Sequence, residues 1–165
     1  MMLGMSLGTF TFVHVLISLV GIASGLVVMF GLLAGKRLDG WTALFLTTTV
    51  LTSVTGFMFP FEHATPGIKV GVISLVILAV AIAARYVFHL AGAWRSIYTV
   101  GATIALYFNV LVLVVQLFEK VPALHELAPT GSEAPFLVAQ LVVLAAFLAL
   151  GTLATIRFRR VAAHA

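Results

Sequence analysis

The sequence predicts an all-α integral membrane protein: one bundle of five transmembrane helices, with the N-terminus outside and the C-terminus in the cytoplasm. Three observations carry that expectation. The 165-residue chain is 62% hydrophobic and only 8% charged, against about 25% for a soluble domain, so lipid is its natural solvent. Its apolar residues fall into five runs, each near the roughly 20 residues that a helix needs to cross a bilayer. Its cations gather in alternate breaks between those runs, which is how the positive-inside rule orients helices.

The first run, residues 7–33, has no charged residue ahead of it. It therefore lacks the basic leader of a cleavable secretory signal and reads as an uncleaved span. Lys36, Arg37, Asp39 and Gly40 make the polar turn that follows. The second run, 41–61, opens on Trp41 and closes on Phe59, Pro60 and Phe61, residue types suited to the two interfaces. Gly56 and Pro60 predict an irregular end to that helix. The third run, 68–90, is uncharged only between Lys69 and Arg85, so both are expected to snorkel toward opposite surfaces. A short link leads to the fourth run, 94–118. The Pro-punctuated break from Glu119 to Ala134 is too short to fold alone, so residues 1–165 form a single membrane domain. Pro135 suits the first turn of the fifth run, 135–156, where a missing N–H costs nothing, and Arg157, Arg159 and Arg160 close it.

Five crossings put Lys36, Arg37, Arg85, Arg95, Arg157, Arg159 and Arg160 on one side and only Lys69 and Lys120 on the other. The first side is then cytoplasmic. Glu62, Glu119, Glu126 and Glu133 fall outside with His63 and His125, while Asp39 is the one acid inside. The formal charge of +4 arises from cations that cap apolar runs and form no continuous patch, which excludes a nucleic-acid partner. The chain has no Cys, so disulfides, thiolate metal sites and thiol redox chemistry are excluded. Arg85 and His89, spaced i, i+4 near a helix C-terminus, read as structural anchors to the helix dipole and to anionic lipid.

Polar residues inside the runs point to an outward-facing site. His14 lies about 10 Å into the first span at 1.5 Å per residue. Ser18, Gly21 and Gly25 continue its face, and Gly21 and Gly25 permit close helix approach. His14 is therefore expected against another helix, as a metal or haem ligand, as a proton carrier or as a packing hydrogen bond. Asn109 and Gln116 share a face of the fourth span, and Gln116, Gln140 and His14 fall at similar depth in the outer leaflet. Amides there also serve simply to join helices, the reading that Gln140 alone favours. The Thr48, Thr52, Thr55 and Gly56 face reads as packing, because Thr hydroxyls bond carbonyls of their own helix. Above that level lie Glu62, His63, Glu119, His125 and Glu126, a donor set suited to a divalent cation or a proton relay, although no HExxH or HxH spacing occurs. The candidate ligand-binding set is His14, Asn109, Gln116, Gln140, Glu62, His63, Glu119, His125 and Glu126, with His14, His63 and His125 as candidate metal ligands.

The segments Thr55-Gly56-Phe57-Met58-Phe59-Pro60-Phe61 and Gln116-Leu117-Phe118-Glu119-Lys120-Val121-Pro122, continuing through His125-Glu126-Leu127-Ala128-Pro129-Thr130 to Pro135-Phe136, resemble those of small uncharacterised multi-span bacterial inner-membrane proteins. The resemblance implies an address in the bacterial inner membrane and carries no activity. Small b561-type cytochromes pair His residues on helices at matched depths; here only His14 on the outer side and His89 on the inner side come near that pattern.

The leading expectation is thus a small polytopic protein that binds a ligand or cation in its outward-facing pocket, and is more a binding protein than an enzyme. The first alternative is an accessory or self-associating subunit, with a homo-oligomer or larger membrane complex as partner beside the lipid bilayer. Gly21/Gly25, Gly31/Gly35 and Gly67/Gly71 motivate it. The second is a redox protein with one b-type haem or a bound quinone.

Overall fold

The computed structural model describes residues 4–60 and 66–163. It is all-helical: α1 (Leu7–Leu33), α2 (Asp39–Gly56), α3 (Pro66–Ile82) running into a π-helical turn (Ala83–Val87), α4 (Trp94–Lys120), a single turn α5 (Pro122–His125) and α6 (Ala134–Ala163). Four stretches are long and apolar enough to cross a membrane: Leu7–Leu33, Gly67–Val87, Trp94–Lys120 and Ala134–Arg160. They mark a multi-pass membrane protein. α2 is not among them, because its 18 residues include Asp39 and six threonines.

Paired contacts set the directions. α1 and α2 form an antiparallel hairpin, with His14 meeting Thr55 at one end, Gly25 facing Phe45 in the middle and Gly31 lying under Leu38 at the other. α3 runs back along α2, so that Gly71 abuts Phe57 and Arg85 reaches Asp39. Gly101 of α4 packs on Ala81 and Ile77 of α3. α6 follows α4 in reverse, from Phe136 against Phe118, through Gly151 against Thr103, to Phe158 under Arg95. The helices close a ring in the order α1, α2, α3, α4, α6, and α1 also touches α4 across it.

Glycine permits the tightest of these approaches. A Cβ on Gly25 would come within 2.6 Å of Leu106 Cδ1 and 2.8 Å of the Phe45 ring, closer than carbon atoms can sit. The core between the helices holds Val28, Met29, Leu32, Phe45, Leu78, Tyr98, Leu106 and Phe158, all at most 2% exposed. The outward faces are apolar as well: Val76 on α3 and Leu141 and Val142 on α6 are exposed, as a lipid-facing surface requires.

The helix ends depart from the sequence expectation in two places. α2 ends at Gly56 rather than at the 59–61 interface residues, and Phe57 and Met58 continue as a hydrogen-bonded turn. α3 does not remain regular through His89. Its ladder widens at Ala83–Val87, where Phe88 N–H bonds Ala83 C=O (2.9 Å), and the chain then turns through left-handed His89 (φ 49°) and Leu90 (φ 59°). His89 therefore lies beyond the helix and forms no i, i+4 pair with Arg85.

Candidate functional site

At the end of the α1–α2 hairpin where α1 begins and α2 ends, His14 is half-buried, and its Nδ1 lies 2.7 Å from Thr55 Oγ1. The Thr55 hydroxyl has one proton and aims it at Leu51 C=O, 2.6 Å away. The oxygen therefore accepts from His14 Nδ1–H, which leaves Nε2 with its lone pair free. Phe59 lies edge-on to the imidazole, with ring centroids 5.2 Å apart, and also packs on Phe10. Ser18 donates back to His14 C=O (2.8 Å) and so holds the same helix turn.

The other candidates have separate partners. Asn109 reaches inward to Thr49 Oγ1 (3.2 Å) across the small side of Gly21, linking α4 to α2. Gln140 donates Nε2–H to Leu111 C=O (3.2 Å), a helix-joining contact between α6 and α4, and its buried Oε1 has no donor among the described residues. Gln116 is exposed and donates to Glu119 one turn on (3.3 Å). His14, Gln116 and Gln140 thus do not converge: His14 closes on α2, Gln116 on the next turn of its own helix α4, and Gln140 on α4 at Leu111. Glu126 is exposed on the turn after α5, and Glu62 and His63 lie outside the described residues. Among the described residues, no group of three His, Asp or Glu side chains is placed to hold a metal ion.

Two of the candidates do share a cavity. The end of α4, α5 and the 128–131 turn fold over the start of α6 and border a partly open cavity of about 270 Å³, lined by the exposed Glu119, His125 and Thr130 together with Phe118, Phe136 and the turn backbone. Pro122 opens α5 at the position where its missing N–H is harmless, which turns the chain sharply back after Lys120. Phe118 and Phe136 meet edge-to-face, with centroids 5.4 Å apart, and brace the base of the fold. The turn is held from the far side by Glu133, which accepts from Thr130 N–H (3.1 Å), Thr130 Oγ1 (2.8 Å) and Ser132 N–H (3.1 Å). Desolvation is the largest single influence on the Glu133 pKa and raises it, but the hydrogen bonds from Thr130, from the Glu133 backbone and from Ser132 together outweigh it and hold the carboxyl below its ordinary value. Glu119 with His125 beside aromatic rings is a donor set for a small cation.

A second polar cluster, at the opposite end, overturns the expectation for Arg85. Its side chain does not snorkel: it is 2% exposed and points into the bundle. One terminal nitrogen, Nη2, donates both to the Asp39 carboxylate and to Arg37 C=O (3.2 Å). The guanidinium lies over the Tyr98 and Tyr86 rings, at 5.2 and 5.7 Å from their centroids. Tyr98 in turn reaches Thr42 Oγ1 (3.5 Å), which donates to Arg37 C=O (3.1 Å). The sequence does hold the signal. Gly71, Ser74, Leu78, Ala81 and Arg85 follow one another at three- and four-residue steps, and the last four are all buried. Arg85 is therefore the last residue of the core-facing line of α3.

Comparison with known proteins adds no relative: no family model matches the chain, and neither a curated protein nor a solved structure matches it at a significant level.

Proposed function

We propose that the chain is a five-span protein of the bacterial inner membrane, N-terminus outside, that binds a small cation at its outer end. The observation that carries this reading is the cavity shared by Glu119 and His125. At about 270 Å³ it suits a hydrated divalent ion or a small organic amine, being smaller than the common 300–1,000 Å³ of drug-sized sites. Glu119 supplies the charge, His125 a ring nitrogen, and Phe118 and Phe136 a π-rich floor for an ammonium group. The fifth crossing is supported by the α1–α2 hairpin, because α2 lies alongside α1 from Leu38 to Thr55. Its 18 residues span about 27 Å at 1.5 Å each, close to the hydrocarbon thickness.

Calorimetric titration of the protein in nanodiscs with Zn²⁺ and, separately, with tetramethylammonium tests the reading. Saturable binding of one probe is expected, weakened about tenfold or more by Glu119→Gln, since a lost charge-assisted contact is worth at least 1.4 kcal/mol. His14→Ala, remote from the cavity, leaves that affinity unchanged. Absence of saturable binding of both probes overturns the proposal.

The redox reading has one observation in its favour: among the described residues nothing bonds His14 Nε2, a ring nitrogen within a span. A Soret band in the absorption spectrum of the purified protein would establish it. The self-associating reading rests on Gly21/Gly25, Gly31/Gly35 and Gly67/Gly71; of these, Gly21, Gly25, Gly31 and Gly71 face neighbours within the chain, which favours it less than the cation-binding reading.

A further inference from the structure

The structure assigns a second ligand site at the other end of the bundle: we propose that Arg85 receives a phosphate-type oxyanion there, in exchange for the Asp39 carboxylate. The guanidinium is almost wholly buried, yet only part of its donor set is used. Nη2 serves both Asp39 and Arg37 C=O, while Nη1 is buried and has no acceptor among the described residues. A buried cation retains its place only if its N–H groups are paired. The two terminal nitrogens of a guanidinium form a fork that matches two oxygens of one anion. Asp39 engages that fork through a single oxygen, Oδ1, and only at Nη2. A tetrahedral oxyanion satisfies both prongs at once.

The surroundings fit an exchange. The Asp39 side chain is 79% exposed, so it leaves without unpacking the core. Arg37, half exposed and 4.0 Å from Asp39, stands beside the same place as a second cation. The Tyr98 ring lies against the guanidinium, and its hydroxyl links α4 to Thr42 of α2. The backbone is unusual at this end: the π-turn carries Arg85 itself, and Leu38, His89 and Leu90 all hold left-handed φ without being glycine. Such conformations gather where a site constrains the chain. If this end faces the cytoplasm, the oxyanion comes either from a free phosphate or from the headgroup of an anionic phospholipid; both present the same chemistry to the fork.

The test turns on Asp39→Asn. If the Asp39–Arg85 pair is only a structural clasp, this variant loses stability and no anion restores it. As an exchangeable stand-in, its removal frees the fork, and the anion binds more tightly than to wild type, by about tenfold if one competing charge is removed. Binding is read as the rise in unfolding temperature in two arms. Inorganic phosphate is titrated against chloride at equal ionic strength in neutral-lipid nanodiscs, and neutral nanodiscs are compared with ones doped with phosphatidylglycerol. A response confined to the first arm identifies free phosphate, and one confined to the second identifies the headgroup. Arg85→Lys keeps the charge, loses the fork and is expected to lose the response in both variants. Equal or weaker response of Asp39→Asn relative to wild type in both arms, with helical content unchanged, overturns the proposal.

Discussion

His14 and Arg85 are the two ionisable side chains that the sequence puts near or within a span and that the bundle then handles in opposite ways. His14 has a single neutral partner, Thr55, and its loss is a local event. Thr55→Val removes the acceptor while conserving shape, and is expected to cost about 0.6–2 kcal/mol, the range for interhelical hydrogen bonds in membranes; reversible unfolding in mixed micelles measures it. The legibility of the two residues also differs. The Ser18, Gly21 and Gly25 face alone puts His14 against a helix partner. The inward course of Arg85 is legible only in the three- and four-residue line from Gly71, because charge near a span end ordinarily reaches for water and hydropathy has no means of seeing a π-turn or an inward ion pair. At the loop, Glu133 gives a pH prediction with a definite sign. Its carboxyl is held below the ordinary value, so the Thr130–Ser132 turn keeps this support above the usual carboxylate range and loses it as pH falls through the lowered value. Faster amide exchange at Thr130 and Ser132 in acid, corrected for intrinsic rates and abolished as a pH effect by Glu133→Gln, is the expected outcome.

At the scale of the element, glycines divide by what their missing Cβ would meet. Gly25 sits against Leu106 and Phe45, both fully buried, so Gly25→Ala forces the α1–α2–α4 contact apart and is expected to destabilise by about 1–3 kcal/mol, as overpacking does. Gly40, in the first turn of α2, has open space around it, so Gly40→Ala is expected to be neutral or to stabilise by up to about 1 kcal/mol. Thermal unfolding of the two variants side by side checks both signs. The small-residue spacing of Gly21 and Gly25 was legible as a close approach, but whether the approach lay within the chain or between copies was not, since the spacing is the same for either. The apolar runs likewise marked α1, α3, α4 and α6 from composition alone. The cavity at Glu119 and His125 was legible only as residue types outside a span. Its walls depend on how α5 and the 128–131 turn fold back over α6, which no local pattern in the chain dictates.

For the whole molecule, one asymmetry holds among the described residues: Glu119, Glu126, Glu133 and His125 lie with the α5 end, and the arginines lie with the Arg85 end, where Asp39 and His89 also fall. The proposed sites follow it, a cation at Glu119 and His125 and an oxyanion at Arg85. Both assignments to a side of the membrane depend on α2 crossing, the one helix that length and hydropathy do not single out. Between Lys36 and Ser132 lie α2, α3 and α4. Because the chain has no native Cys, single cysteines introduced as Lys36→Cys and Ser132→Cys report without background. With a membrane-impermeant maleimide on intact cells, Ser132→Cys is expected to label directly and Lys36→Cys only after permeabilisation. Labelling of both from the same side would mean that α2 does not cross, and would contradict the five-span account and its outward-facing site.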